Sequence, residues 1–128
     1  MTRAVADTSV FIAWESGRPL GDAVPDEIAV SVITAGELEL GVLRARDAAV
    51  RARRLATLAR VRETYPLLPI DGATASCFAR IAEEELTAGR RLRRHDAWIA
   101  ATALRHGVPV LTQDADFSVF AAVEVLRI

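Results

Sequence analysis

The sequence predicts an α/β fold in which helices cover both faces of a parallel sheet. Short apolar segments alternate with helical segments along the chain, an order typical of repeated βαβ units. These short segments are apolar at consecutive positions, as expected for strands whose two faces are both covered. The chain has 128 residues, of which 52% are hydrophobic. We therefore expect one domain, spanning residues 1–128, with a single core.

The first half of the chain is predicted to contain two strands and three helical segments. Gly17, Pro19, Gly21 and Pro25 indicate a loop, because glycine and proline interrupt regular structure. The predicted elements are a strand at 3–6, an apolar helical turn at 9–14, a loop at 16–27, a strand at 28–32, a helix opened by residues 34–37, and an arginine-rich helix at about 47–63.

The second half is predicted to contain three strands and two helices. Asp71 has the position of a helix N-cap, and Gly107 suits the left-handed residue that follows a helix. The predicted elements are a strand at 67–70, a helix from 71 to about 88, a basic loop at 89–94, a helix at 97–106, and strands at 108–112 and 123–128. The helix at 97–106 is apolar on nearly every side, so we expect it to be buried.

The composition excludes several kinds of active site. All 16 positively charged side chains are arginines, so no P-loop lysine or Schiff base is available. Two histidines and one cysteine leave little material for a zinc site or a Ser-His-Asp triad. The single cysteine fits a reducing compartment. No apolar run approaches the ~20 residues that span a bilayer, and no signal peptide is evident. The sequence thus predicts a soluble, cytoplasmic protein with no membrane association.

Five carboxylates are predicted to meet at the carboxyl ends of the strands. Asp7 ends the first strand, and Glu37 lies in the first helical turn after the second. Asp96 opens the buried helix, and Asp114 and Asp116 follow the strand at 108–112. In open α/β sheets this edge carries the functional crevice, and five uncompensated anions there would repel one another. A hard divalent cation such as Mg²⁺ or Mn²⁺, which prefers oxygen ligands, would remove that repulsion.

Each of these residues taken alone also has a structural explanation. Thr34 and Glu37 have the spacing of a capping box, with Thr34 as N-cap. Asp96 has the position of an N-cap, and Asp7 that of a turn residue at a strand end. Considered together, the carboxylates favour metal-assisted phosphodiester hydrolysis, in which cations activate water and stabilise the phosphoryl group. The hydroxyls of Thr8, Ser9 and Thr112 are predicted either to orient a carboxylate or phosphate, or to cap the backbone.

Four motifs together resemble those of PIN-domain nucleases, specifically the VapC-type toxins. They are Asp7-Thr-Ser-Val10, Thr34-Ala-Gly-Glu37, His95-Asp-Ala-Trp-Ile-Ala-Ala-Thr-Ala103 and Thr112-Gln-Asp-Ala-Asp-Phe117. The resemblance implies that Asp7, Glu37, Asp96 and Asp114 are catalytic and bind metal, with Asp116 as a further ligand. It also implies a three-layer α/β/α fold with a five-stranded, mainly parallel sheet.

The same resemblance implies the activity and the partners. We expect the toxin of a type II toxin–antitoxin pair, an endoribonuclease that uses Mg²⁺ or Mn²⁺ and leaves a 5′-phosphate and a 3′-hydroxyl. A VapB-like antitoxin would inhibit it, and the toxin would form a homodimer. The apolar helix after Glu37 is a candidate antitoxin or dimer surface, although core packing is the expected role for at least half of it. Its apolar side chains are Leu38, Leu40, Val42 and Leu43.

Two groups of arginines are candidates for binding RNA phosphates, which an acidic pocket alone would repel. Arg90, Arg91, Arg93 and Arg94 immediately precede Asp96. A second group could extend the track or pair with nearby acids: Arg44, Arg46, Arg51, Arg53, Arg54, Arg60 and Arg62. The carboxylates do not specify which phosphodiester is cut. A metal-dependent DNA nuclease or phosphatase, and a non-catalytic RNA-binding regulatory module, therefore remain alternatives.

Overall fold

Strands and helices alternate along the chain, as the sequence predicts. The computed structural model describes residues 2–18, 24–115, 117 and 120–128. The elements are β1 (Arg3–Ala6), α1 (Thr8–Glu15), β2 (Glu27–Ser31), α2 (Val32–Leu43), α3 (Ala48–Thr64), β3 (Leu67–Leu68), α4 (Gly72–Thr87), α5 (Arg94–Arg105), β4 (Val110–Thr112) and β5 (Val125–Arg127). Within the described ranges, no helix is both long and apolar enough to cross a bilayer.

The five strands form one sheet in the order β3-β2-β1-β4-β5, and each neighbouring pair is parallel. Ala6, at the end of β1, lies opposite Val30 on one side and Leu111 on the other. After β1 the chain adds β2 and β3 on one side of β1, and it later adds β4 and β5 on the other side. The carboxyl ends of β1 and β4 therefore flank the point where the strand order reverses, which is where ligands bind in such sheets.

The core consists of two apolar layers, one on each face of the sheet. Val5 belongs to the layer formed with α4 and α5, whereas Ala4 and Ala6 belong to the layer formed with α1 and α3. Alternate β1 residues thus supply opposite faces, as the two-residue period of a strand requires. Helix α5 is buried along most of its length, which confirms the prediction from its composition. The three-layer α/β/α architecture predicted from the sequence is confirmed.

Two predicted helix starts are wrong, and both bear on the site. Helix α2 begins at Val32 and is capped by Ser31, whose hydroxyl accepts a hydrogen bond from the Ile33 amide at 3.1 Å. Thr34 therefore lies inside the helix, and the capping box does not form. Helix α5 begins at Arg94 with Arg93 as its N-cap, so Asp96 lies in the first turn. The apolar pattern locates a helix face, but it does not define where the backbone begins to coil.

The remaining boundaries differ from the predictions by a few residues. The strands predicted at 67–70, 108–112 and 123–128 form ladders only over residues 67–68, 110–112 and 125–127. Pro109, which has no amide hydrogen, helps to delay the start of β4. Asp71 caps α4 and Gly107 has a φ of +66° beyond α5, as predicted. Asp47, predicted as the first residue of α3, is its N-cap. Part of the loop predicted at 16–27 lies outside the described residues.

Candidate active site

Asp7 is the most deeply buried of the predicted site carboxylates that the structure describes, with 4% of its surface exposed. It follows β1 directly and precedes α1 without capping that helix through its side chain. Its Oδ2 accepts hydrogen bonds from Ser9 Oγ at 2.7 Å and from Thr112 Oγ1 at 2.5 Å. The prediction that these two hydroxyls orient a carboxylate is confirmed. The structural explanation of Asp7 as a turn residue does not account for this buried, doubly bonded position.

The same hydroxyls connect Asp7 to the chain that leaves β4. The Asp114 amide donates to Thr112 Oγ1, and the Gln113 amide donates to Ser9 Oγ, each at 2.9 Å. Thr112 is completely buried at the end of β4. This network holds the backbone of Asp114 beside the carboxyl end of β1. The pairing of β1 with β4 therefore explains why residues about one hundred positions apart meet.

Glu37 approaches the site from α2. Its Oε1 accepts a hydrogen bond from Thr8 Oγ1 at 2.8 Å, and its Oε2 lies 3.5 Å from Nδ1 of His95. Thr8 also donates toward Thr34 Oγ1 at 3.2 Å, so the residue after Asp7 contacts two positions of α2. His95 is a site contact that the sequence reasoning did not assign. Its position immediately before Asp96 was the available signal.

Asp96 provides the electrostatic evidence that the carboxylates converge. The pKa of Asp96 is raised to about 6, first by burial and next by the charge of Asp7, with smaller contributions from Glu37 and Asp114. Arg93 opposes this rise, because its Nη1 lies 3.2 Å from Asp96 Oδ2. Like charges raise a carboxyl pKa only when they lie close enough to repel it. The fold thus brings these four carboxylates together, while Asp116 lies outside the described residues.

The donor chemistry of the four carboxylates fits a hard divalent cation, because all of them supply oxygen ligands. Their present side-chain positions do not enclose one. In the part of the chain that the structure describes, no three His, Cys, Asp or Glu side chains form a group that could hold a metal ion. Several carboxylate oxygens instead accept hydrogen bonds from protein groups, namely the hydroxyls of Thr8, Ser9 and Thr112 and the guanidinium of Arg93.

The four arginines before α5 have different surroundings. Arg90 donates through Nε to Glu85, a carboxylate with only 3% of its surface exposed, and this pair attaches the loop to α4. Arg93 contacts Asp96, and its guanidinium lies 5.2 Å from the centre of the Phe120 ring. Arg91 and Arg94 are exposed and form no ion pair with any residue in the described ranges.

The arginines near α3 mostly have partners within the protein. Arg53 and Arg62 lie 3.6 Å from Glu15 and Glu39, as expected if they pair with nearby acids. Arg60 covers the Trp14 ring at 3.9 Å. Arg44, Arg46, Arg53 and Arg54 also line a cleft of about 370 Å³.

The apolar side chains of α2 divide between the core and the surface. Val42 is buried, and Leu38 packs against the core layer formed with α1 and α3. Leu40 and Leu43 are 52% and 73% exposed. Core packing therefore accounts for Val42 and Leu38, whereas Leu40 and Leu43 remain exposed on α2.

Comparisons with known proteins agree with this geometry. The family model described as PIN domain matches residues 4–123. The chain is 47% identical to Ribonuclease VapC5 of Mycobacterium tuberculosis, a match that covers 97% of this chain and 94% of the relative. It is 44% identical to Ribonuclease VapC4 of the same organism, over 98% of this chain and 97% of the relative.

A solved structure shares the whole fold. The crystal structure of VapBC-5 from Mycobacterium tuberculosis, a member of the VapBC family of toxin–antitoxin systems, contains a chain that matches with a TM-score of 0.89 and 42% identity. The match covers 100% of both chains. The buried Asp7 network, the converging carboxylates and these similarities lead to one assignment: the chain belongs to the PIN-domain family and, within it, to the VapC ribonucleases.

Proposed function

We propose that this protein is a metal-dependent endoribonuclease and the toxin of a type II toxin–antitoxin pair. The observation that carries the proposal is the convergence of Asp7, Glu37, Asp96 and Asp114, expressed in the raised pKa of Asp96. Neither Glu37 nor Asp96 is occupied in capping a helix, so the structural explanations for these two carboxylates no longer apply. The relatives named ribonucleases support RNA as the substrate.

Asp7, Glu37, Asp96 and Asp114, with Asp116 as a further ligand, would hold Mg²⁺ or Mn²⁺. When bound, the cation supplies Lewis acidity that activates water and withdraws charge from the phosphoryl group. The protein supplies the fixed framework. Ser9 and Thr112 hold Asp7 in one orientation, and Thr8 holds Glu37. Such second-layer hydrogen bonds reduce the reorganisation needed when the ligands assemble.

RNA approaching this acidic pocket needs positive charge at its rim. Arg91 and Arg94 are exposed and available to phosphates, whereas Arg90 holds the loop in place through Glu85. We retain all four arginines, including Arg93, as the proposed phosphate-binding set. Arg90 also keeps 44% of its side chain exposed, so its pair with Glu85 does not prevent a phosphate contact. Guanidinium groups suit this role because they form paired hydrogen bonds to phosphate oxygens.

The proposed protein partners are a VapB-like antitoxin and a second copy of the chain. The VapBC-5 structure supports the antitoxin, because VapBC-5 belongs to a family of toxin–antitoxin systems. Leu40 and Leu43 offer exposed apolar surface on α2 for either contact. Replacing both leucines with Ser would weaken whichever contact uses this surface. Size-exclusion chromatography of the toxin alone and of the toxin mixed with its antitoxin would distinguish them.

The decisive experiment compares substrates and matched variants. Purified protein is incubated with structured RNA, single-stranded DNA and a phosphatase reporter, each with Mg²⁺ and with EDTA. Asp96→Asn tests the site, and Asp71→Asn is its control, because it is the same substitution at an exposed N-cap residue that is not one of the site carboxylates. We expect only RNA to be cleaved, only with metal, and only by the wild type and the control.

Other results would support the alternatives. Cleavage of DNA or of the reporter at a comparable rate would indicate a different phosphodiesterase or phosphatase using the same carboxylates. Metal-dependent RNA binding without cleavage would indicate a regulatory module. Equal RNA cleavage by Asp96→Asn and Asp71→Asn would contradict the assignment of the site.

A further inference from the structure

Arg93 is placed differently from its neighbours, because its guanidinium contacts a site carboxylate. Its Nη1 lies 3.2 Å from Asp96 Oδ2, and its side chain is only 28% exposed. Its main chain is fixed, since the Arg93 carbonyl accepts the first hydrogen bond of α5 from the Ala97 amide at 2.9 Å. The guanidinium lies over the Phe120 ring, 5.2 Å from its centre. Arg93 is therefore a half-buried positive charge in contact with a site carboxylate.

This charge lies against a proposed metal ligand. Arg93 donates from Nη1 to Asp96 Oδ2, and the two side chains are only 28% and 25% exposed. A guanidinium so close to Asp96 offsets part of the repulsion among the site carboxylates. A divalent cation at the same carboxylates would repel this guanidinium, because two positive charges would share one small region. The two cations cannot both be held closely by Asp96 without a cost in free energy.

Arg93 also lies where a displaced guanidinium could act. It is the N-cap residue of α5, next to Arg94, which is exposed. The planar guanidinium can exchange a carboxylate partner for a phosphate partner, since both accept two parallel hydrogen bonds.

Building on the proposed function, we infer that Arg93 is an exchangeable counter-ion: it neutralises Asp96 when no metal is bound and transfers to the RNA phosphate when the metal occupies the carboxylates. Arg93 and the metal then compete for Asp96, but both act on the RNA phosphate. Binding of the metal and binding of the phosphate are thereby coupled through one side chain. Removing the charge should consequently tighten metal binding and slow cleavage.

The first measurement is Mn²⁺ binding by calorimetry, without RNA. Arg93→Gln should lower the Mn²⁺ dissociation constant roughly fivefold to tenfold, because a nearby positive charge has been removed. Arg94→Gln is the matched control: it removes a neighbouring charge that is exposed and screened, and should change the constant by less than about twofold. Arg93→Lys keeps the charge and should stay close to the wild type.

The second measurement is RNA cleavage at saturating metal. Arg93→Gln should lose roughly tenfold or more in kcat/KM, as expected for the loss of a hydrogen bond to a charged group. Arg93→Lys should recover this only in part, since an ammonium lacks the planar pair of donors. If Arg93→Gln is not folded at the assay temperature, Arg93→Met, which keeps a long apolar side chain next to Phe120, replaces it in both measurements.

The outcomes separate this inference from the proposed function. Mn²⁺ binding that is unchanged or weaker in Arg93→Gln would overturn the inference and identify a fixed ion pair. Tighter Mn²⁺ binding with unchanged kcat/KM would overturn the transfer to phosphate. If the wild type itself binds no Mn²⁺, the metal-dependent function fails and the inference fails with it. Tighter Mn²⁺ binding in Arg93→Gln but not in Arg94→Gln, together with slower cleavage by Arg93→Gln, would support it.

Discussion

Replacing Asp96 with Asn should make the metal-free protein more stable at alkaline pH while removing its activity. In the folded protein the pKa of Asp96 is raised to about 6 from an ordinary value of 3.8, because burial and the charges of Asp7, Glu37 and Asp114 disfavour the anion. The ionised form therefore destabilises the fold when no cation is bound. Asn has a similar size and no charge, so it removes this penalty.

The size of this stabilisation follows from the raised pKa of Asp96. A difference of about two pKa units corresponds to roughly 3 kcal/mol. The side chain is 25% exposed, and water there screens part of the interaction, so we expect a gain of about 1–2 kcal/mol at pH 8. Because the folded pKa is the higher one, the stability that Asp96 contributes is fully present below pH 3.8 and is lost as the pH rises through 6. The gain from Asn should therefore shrink as the pH falls through 6 toward 3.8.

The assay is chemical denaturation in EDTA at pH 8 and at pH 5, with the wild type and Asp96→Asn. Asp71→Asn is a control of opposite sign, because hydrogen bonds from Thr74 lower the pKa of Asp71 and favour its anion in the folded protein. Asp71→Asn should be less stable than the wild type at pH 8. An Asp96→Asn protein that is less stable than the wild type at pH 8, or equally stabilised at both pH values, would refute the electrostatic reasoning.

Three further predictions concern the hydroxyls, the metal and the substrate. Thr112→Val should lower the free energy of unfolding by about 1–3 kcal/mol, because buried Asp7 and the Asp114 amide each lose a hydrogen-bond partner. Denaturant titration measures this change, and a neutral effect would contradict the hydrogen-bond network around Asp7. Millimolar Mn²⁺ should raise the melting temperature of the wild type, by linkage worth about 2.7 kcal/mol at one hundred times the dissociation constant. Changing Asp7, Asp96 and Asp114 together to Asn should flatten that response, and a wild type indifferent to Mn²⁺ would count against the site. The double variant Arg91→Ala/Arg94→Ala should weaken RNA binding and reduce the salt slope of log K by roughly 0.7 per lost phosphate contact. Binding is measured in the Asp7→Asn background. Unchanged affinity and an unchanged slope would mean that these arginines do not contact RNA.

The sequence was sufficient to predict the fold class and the edge of the sheet at which the carboxylates lie. Consecutive apolar residues in short strands require cover on both faces, and together with the alternation of strands and helices they indicate a parallel sheet between helices. Once the sheet is parallel, residues that follow strands must meet at one edge. The approach of Asp114 to Asp7 was predictable for that reason, and the pairing of Ala6 with Leu111 accounts for it.

What could not be predicted from the sequence is how each charge is used, because a side chain's role depends on neighbours that only folding brings near. Asp96 and Arg93 are three residues apart on a first helical turn, and the sequence favoured a cap for one and a phosphate contact for the other. The helix start at Arg94 places them against each other instead. Likewise, nothing in the local sequence distinguishes Arg90 from Arg91; burial of Glu85 in α4 gives Arg90 a carboxylate partner and leaves Arg91 exposed to solvent.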